Sequence, residues 1–177
     1  MSERPRQHDG NVHGVILALR RASDRRLLLI RRAPGVASGG KVAFPGGAVE
    51  VGEPLDAAAV REANEELGWR VSVRGPVWRR AFDDKPLVLW GFLAEWISGE
   101  LRPAADEVAE TMWLTRDELS GLERRGEALM GTGAFAEAAE RAWADEPNAV
   151  AAAGESLDTP QLAASGSAVY DEACRDE

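Results

Sequence analysis

The chain has 177 residues, 45% of them hydrophobic and 29% charged, and a net charge of −9, the composition of one ordinary globular domain with some chain left over. No apolar run approaches the ~20 residues of a bilayer-crossing helix. The lone Cys174 cannot form an internal disulfide, and the opening stretch MSERPRQHDGNVHG lacks the apolar core of a secretory signal, so a reducing cytoplasm and no membrane are expected.

The charge is unevenly spread. Residues 1–41 hold nine Lys/Arg against three Asp/Glu, whereas residues 130–177 hold two against ten. Most of this surface would repel a nucleic-acid backbone, so no nucleic-acid partner is expected. A small phosphorylated ligand is admissible if metal cations intervene.

In chain order, VHGVILAL (12–19) and RLLLIRRA (26–33) are apolar, β-prone runs separated by a short polar stretch, which predicts two strands forming an antiparallel pair. A glycine-punctuated loop follows, with a short strand at Val42–Phe44. A helix is expected from about Pro54 to Leu67, with Pro54 in its first turn and Gly68 as its stop. Three more strands are expected within 69–82, 86–97 and 109–115. Thr115 with Glu118 three residues later forms a capping-box pattern that opens a second helix, and residues 133–146 read as a third. From about residue 147 the composition shifts to Ala, Gly, Ser and acid, too poor in large apolar residues for a core, so 11–146 is expected to be the folded domain and 147–177 a flexible tail.

The first helix concentrates charge. At ~100° per residue, Glu62, Glu65 and Glu66 share an arc of roughly 100°, while Val60, Ala63 and Leu67 lie on another arc. That pattern predicts carboxylates turned away from the sheet and an apolar face packed on it. Arg61, four residues before Glu65, is within its reach. An isolated Glu-rich helix is more often a solvated acidic face. The wider spacing decides otherwise. Gly47, Glu53, Arg61, Glu62, Glu65, Glu66 and Gly68 fit G-x5-E-x7-R-E-x-x-E-E-x-G, and seven matches have a chance probability on the order of one in 10⁸ per start point.

This pattern is the Nudix box, here of the MutT-like kind over residues 47–69, and the chain resembles Nudix hydrolases, which cleave nucleoside diphosphates linked to another moiety. Ala63 and Trp69 stand where the family usually has bulky aliphatic residues; neither position supplies a metal ligand. The resemblance implies an α/β/α sandwich, a mixed, partly antiparallel sheet between helices. It implies Mg²⁺, with Mn²⁺ as substitute, bound by Glu62, Glu65 and Glu66, with the Gly47 backbone carbonyl as a further ligand and Arg61 and Glu53 as orienting partners. Those roles agree with physical chemistry, because Mg²⁺ favours oxygen ligands and divalent cations both neutralise a diphosphate and acidify water.

The general base is left open between a box glutamate and the loop carboxylates Glu107 and Glu110, with Glu107 preferred. Either is also readable as a solvated turn residue. For substrate contacts the candidates are Arg31 and Arg32, as strand-end cations suited to a phosphate, and Trp78 and Phe82, as aromatic rings suited to a nucleobase. Most of the six Trp are expected in the core. His8 and His13 lack spaced partners and are expected to be structural. GGKVAFPGG, leading into the box, resembles part of a coenzyme A pyrophosphatase signature, with Val36 where that signature has arginine, and coenzyme A, ADP-ribose-like and other nucleotide substrates all remain open. A Nudix-fold nucleotide sensor without turnover is the alternative function; retention of every box glutamate favours the enzyme.

Overall fold

The computed structural model describes residues 7–145. The tail expected from residue 147, with Tyr170 and Cys174, lies outside the described residues. The elements run β1 (Val12–Leu19), β2 (Leu27–Arg32), β3 (Val42–Ala43), α1 (Leu55–Leu67), β4 (Arg70–Ala81), β5 (Leu87–Ser98), β6 (Val108–Leu114), α2 (Arg116–Arg124) and α3 (Thr132–Ala144). They match the predicted order, with boundaries displaced by one or two residues. Pro54 sits one residue outside α1, as its N-cap.

The strands form two three-stranded sheets. In one, of order β1-β5-β4, β1 runs parallel to β5 and β4 antiparallel to it; the other, of order β3-β2-β6, is antiparallel throughout. The expected β1–β2 hairpin is therefore not formed. The two strands share one bridge, Arg20 with Leu27, and then part into different sheets. The reason is competition for the strand edge: all eight residues of β1 are in register with β5 from Val12–Leu87 to Leu19–Ala94, and β2 is in register with β6.

Alternation along the strands builds the layers. Val15, Leu17 and Leu19 of β1, with Leu28 and Ile30 of β2, pack with Ala58, Ala59, Ala63 and Leu67 of α1. Ala18, Leu27 and Leu29 face the opposite way, against Phe135, Ala136, Ala139 and Trp143 of α3. Helices thus cover both faces, and the α/β/α arrangement holds with its sheet divided in two. Trp69 and Trp143 are buried and the other four indoles are partly so, as expected of a core role. Among the described residues no helix is long and apolar enough to cross a membrane.

Two termini follow their sequence signals. Gly68 closes α1 in the left-handed region at φ 72°, which glycine enters without a Cβ penalty. The Thr115 hydroxyl accepts from the Glu118 N–H while the Glu118 carboxylate accepts from the Thr115 N–H, completing the capping box of α2.

One connection positions the site. Residues 45–49 run along the edge of β1 that β5 leaves free: Leu17 N–H donates to Pro45 O, Val15 N–H to Gly47 O and Val49 N–H to His13 O, each at 2.9 Å. This lays the Gly46–Gly47 backbone between β1 and α1.

Candidate functional site

Two of the three box carboxylates, Glu62 and Glu66, do not face away from the sheet, while Glu65 does stay exposed. The buried residues of the helix are Ala58, Ala59, Glu62, Ala63, Glu66 and Leu67, an arc from about −40° to +140° when Glu62 is taken as zero. Glu62 and Glu66 lie inside that arc, and Val60, expected on the packed face, is 38% exposed. The cause is the 45–49 segment, which covers the arc that a hydrophobicity count assigns to solvent. The fit is tight: a Cβ on Gly47 would lie 2.4 Å from the Glu62 carboxylate oxygens, and one on Gly46, at φ 144°, 2.1 Å from Val15 O.

Arg61 is the hub of the charged cluster. Its Nε and Nη2 donate to the two oxygens of Glu53 at 2.9 and 3.0 Å, and Nη2 also reaches Ala48 O at 2.9 Å. Its Nη1 donates to Glu62 at 2.9 Å and to Glu65 at 2.8 Å. Glu53 in turn accepts from the Glu50 N–H. The hydrogen bond from Arg61 holds the Glu53 carboxyl below the usual carboxylate range, and Glu53 foremost pushes the guanidinium further up.

Glu66 is held differently. Its Oε2 accepts from the Gly46 N–H at 2.7 Å, with no cation in an ion pair among the described residues. Desolvation pushes its pKa up to about 8, against the opposing pull of the Gly46 N–H. Burial also raises Glu62, opposed by Arg61. Glu65 is exposed.

These groups line a cleft of about 420 Å³ with Arg32, Gly46, Gly47, Ala48, Arg61, Glu62, Glu65, Glu66 and Glu107 on its walls. The loop bearing Glu107 is tied to α1 and β2: Arg102 N–H donates to Leu67 O, Ala104 N–H to Glu66 O and Ala33 N–H to Glu107 O. A larger cavity, about 850 Å³, adjoins the cleft, sharing Arg32, Gly46, Gly47 and Ala48 with it. Phe82 lines this second cavity.

The structure thus gathers Glu53, Arg61, Glu62, Glu65, Glu66, Gly47, Arg32 and Glu107 at one place. Three of the candidates lie apart from both cavities. Arg31, on the opposite strand face from Arg32, donates to Glu110 and to Gly40 O, each at 3.1 Å, and lines neither cavity. Glu110 is occupied by that pair. Trp78 packs 5.5 Å from Phe135, because α3 lies across that part of β4, and it too lines neither cavity. His13 is held by Asp9 at 3.1 Å and borders the larger cavity. The Gly46 N–H and the Ala48 carbonyl are backbone groups that no side-chain pattern marks; the doubled glycine Gly46–Gly47 was the available signal for close backbone approach.

Among the described residues no three His, Cys, Asp or Glu side chains are already arranged around one metal position: Glu62 and Glu65 turn to Arg61, and Glu66 to Gly46. The donor chemistry nevertheless fits a hard divalent cation. The oxygens are all carboxylate or carbonyl, and two of the carboxylates are buried, a condition that is costly unless a cation compensates it. The Gly47 carbonyl accepts from Val15 N–H and keeps a second lone pair.

Residues 11–132 match the NUDIX domain family, and the chain belongs to it. It is 38% identical over 109 residues to the NAD-capped RNA hydrolase NudC of Mannheimia succiniciproducens, covering 59% of this chain and 39% of that protein. It is 36% identical over 114 residues to the uncharacterized Nudix hydrolase YfcD of Escherichia coli K12, covering 64% and 57%. The chain thus spans well under two thirds of the length of these relatives. Among solved structures, the MutT protein of Methanosarcina mazei Go1 shares the fold at TM-score 0.64 and 21% identity over 80% of this chain and 98% of that one. A MutT NUDIX hydrolase of Burkholderia pseudomallei matches at TM-score 0.53 and 30% identity, covering 60% and 84%.

Proposed function

We propose that this chain is a divalent-metal-dependent pyrophosphohydrolase that cleaves the phosphoanhydride of a nucleoside diphosphate linked to another moiety. The observation that carries the reading is the Arg61 hub, one guanidinium fixing Glu53, Glu62 and Glu65 around a cleft that also holds the buried Glu66. Family membership and the similarity to hydrolases of nucleotide derivatives support it.

Glu62, Glu65 and Glu66, with the Gly47 carbonyl, would hold Mg²⁺ or, in its place, Mn²⁺. When bound, the cation supplies neutralisation of the diphosphate oxygens and a lowered pKa for water. The protein's own contribution is orientation. Glu53 locks Arg61, and Arg61 limits the rotamers of Glu62 and Glu65, the usual outer-layer support of a metal site. The Gly46 N–H sets Glu66. Arg32, on the wall common to both cavities, meets the substrate phosphates. Glu107, on the cleft wall, takes the proton from the attacking water, for which it needs to lie within hydrogen-bond reach of it. The adjoining cavity, within the usual ligand-site range of roughly 300–1,000 Å³, receives the rest of the substrate. A place in the reducing cytoplasm, a small-molecule substrate and no nucleic-acid partner complete the reading, the last on the net charge of −9.

The test is product release from a mixed panel, coenzyme A, ADP-ribose, NADH, nucleotide sugars and dNTPs, with Mg²⁺ or Mn²⁺. Metal-dependent turnover of at least one member is expected. Ligand binding without turnover across the panel would contradict hydrolysis and favour a nucleotide sensor.

A further inference from the structure

The larger cavity carries a feature that the hydrolytic site does not use. Arg80, Phe82 and Lys85 line it and are absent from the carboxylate cleft. The Arg80 guanidinium carbon lies 4.8 Å from the centre of the Phe82 ring and the Lys85 Nζ 4.5 Å from it, so one aromatic side chain carries two cations. Neither cation forms an ion pair among the described residues. Arg80 donates only to the Met130 sulfur, at 3.7 Å, a weak acceptor. Asp83 and Asp84 border the same cavity yet bridge to neither cation. Arg21, Arg26 and Arg31, by contrast, are committed to Asp24, Glu118 and Glu110.

Both cations line one cavity and meet one ring, and the ring quadrupole gives each only a fraction of what a phosphate would. Around the ring that the sequence suggested as a nucleobase platform, the cavity wall thus holds two cations without an ion-pair partner among the described residues. We propose that Arg80 and Lys85, seated on Phe82, form a second anion subsite selecting substrates that carry a phosphate monoester in addition to the scissile diphosphate. The inference rests on the proposed hydrolase reading for the placement of the diphosphate at the carboxylate cleft. It deepens that reading by naming a substrate class: dinucleotide-like pyrophosphates with one further phosphate on a ribose, ahead of their unphosphorylated counterparts. Geometry supports the division of labour, since Arg32 lies on the wall shared by both cavities, leaving Arg80 and Lys85 for a group beyond it.

The experiment is calorimetric binding, in Mg²⁺, of adenosine 3′,5′-bisphosphate, adenosine 2′,5′-bisphosphate and AMP to the whole chain. None of the three has an anhydride to cleave, so the result does not depend on turnover. At least one bisphosphate is expected to bind about tenfold or more tighter than AMP, the factor that one charge-assisted hydrogen bond supplies. The position of the favoured phosphate distinguishes a 2′ from a 3′ source. Arg80→Gln and Lys85→Gln should each shrink the ratio, and Arg80→Lys should restore part of it by keeping the charge. Lys85 is exposed, so its substitution reports on the subsite even if Arg80→Gln disturbs packing. Equal affinities, a preference that survives both glutamine substitutions, or no measurable binding of either bisphosphate would overturn the proposal. A preference found in a chain that turns over nothing on the substrate panel would leave the subsite standing and remove the hydrolase reading alone.

Discussion

The guanidinium of Arg61 grips both oxygens of Glu53 at 2.9 and 3.0 Å while reaching Glu62, Glu65 and the Ala48 carbonyl with its remaining donors. Only a planar fork can serve so many acceptors at once; a lysine ammonium offers three donors from one point. Arg61→Lys keeps the charge and loses the geometry. It is expected to lower kcat/KM roughly 10–100-fold, the usual effect of removing an outer partner of a metal site, with a small change in melting temperature. Steady-state kinetics beside thermal denaturation would check this, and unchanged kinetics would remove Arg61 as a positioning residue.

The two box glycines should separate function from folding. A Cβ at Gly47 meets the mobile end of Glu62, whereas one at Gly46 meets the Val15 backbone at a positive φ. Gly47→Ala is therefore expected to push the Glu62 carboxylate aside and cost about 100-fold in turnover while the protein still folds. Gly46→Ala is expected to destabilise by upward of about 3 kcal/mol. Denaturant melts and turnover on the two variants measure both halves.

Glu107 is the proposed base. It lies on the cleft wall, and Glu107→Gln should lower turnover by roughly 10²-fold or more without changing Mg²⁺ affinity measured by calorimetry. Unchanged turnover would return the role to a box glutamate.

Stability should respond to acid at α2. The Glu118 carboxylate accepts from the Thr115 N–H, which with the Thr115 hydroxyl and Arg26 lowers its pKa. A carboxyl whose folded pKa lies below its unfolded one stabilises the fold above the unfolded pKa, and that stabilisation fades as pH falls through the folded value. The wild type should thus lose melting temperature on acidification through the carboxylate range more steeply than Glu118→Gln. Parallel profiles would contradict the assignment.

The features legible in the sequence were those fixed by local chemistry. Residue spacing alone gave the box and the reach of Arg61 to Glu65, and Thr115 with Glu118 gave the start of α2. Features set by competition between distant segments were not legible. Nothing within residues 12–33 reveals that β5 claims the edge of β1, so the hairpin was misjudged. The face of α1 was misassigned for a related reason. Hydrophobic periodicity counts Glu62 and Glu66 as solvent-facing, but the alanines at 58, 59 and 63 leave room for the 45–49 backbone to cover them. Arg31 and Arg32 looked equivalent as a pair of strand-end cations, and strand alternation sent only Arg32 to the cleft.

Glu66→Gln tests the central claim most directly, because glutamine keeps an oxygen for the Gly46 N–H and removes only the charge. On the best substrate of the panel at saturating Mg²⁺, turnover should fall by orders of magnitude, while the metal-free melting temperature stays the same or rises, because burial already disfavours the charged carboxyl and a neutral amide oxygen still accepts from the Gly46 N–H. Near wild-type turnover in Glu66→Gln would contradict the metal-site account of the cleft.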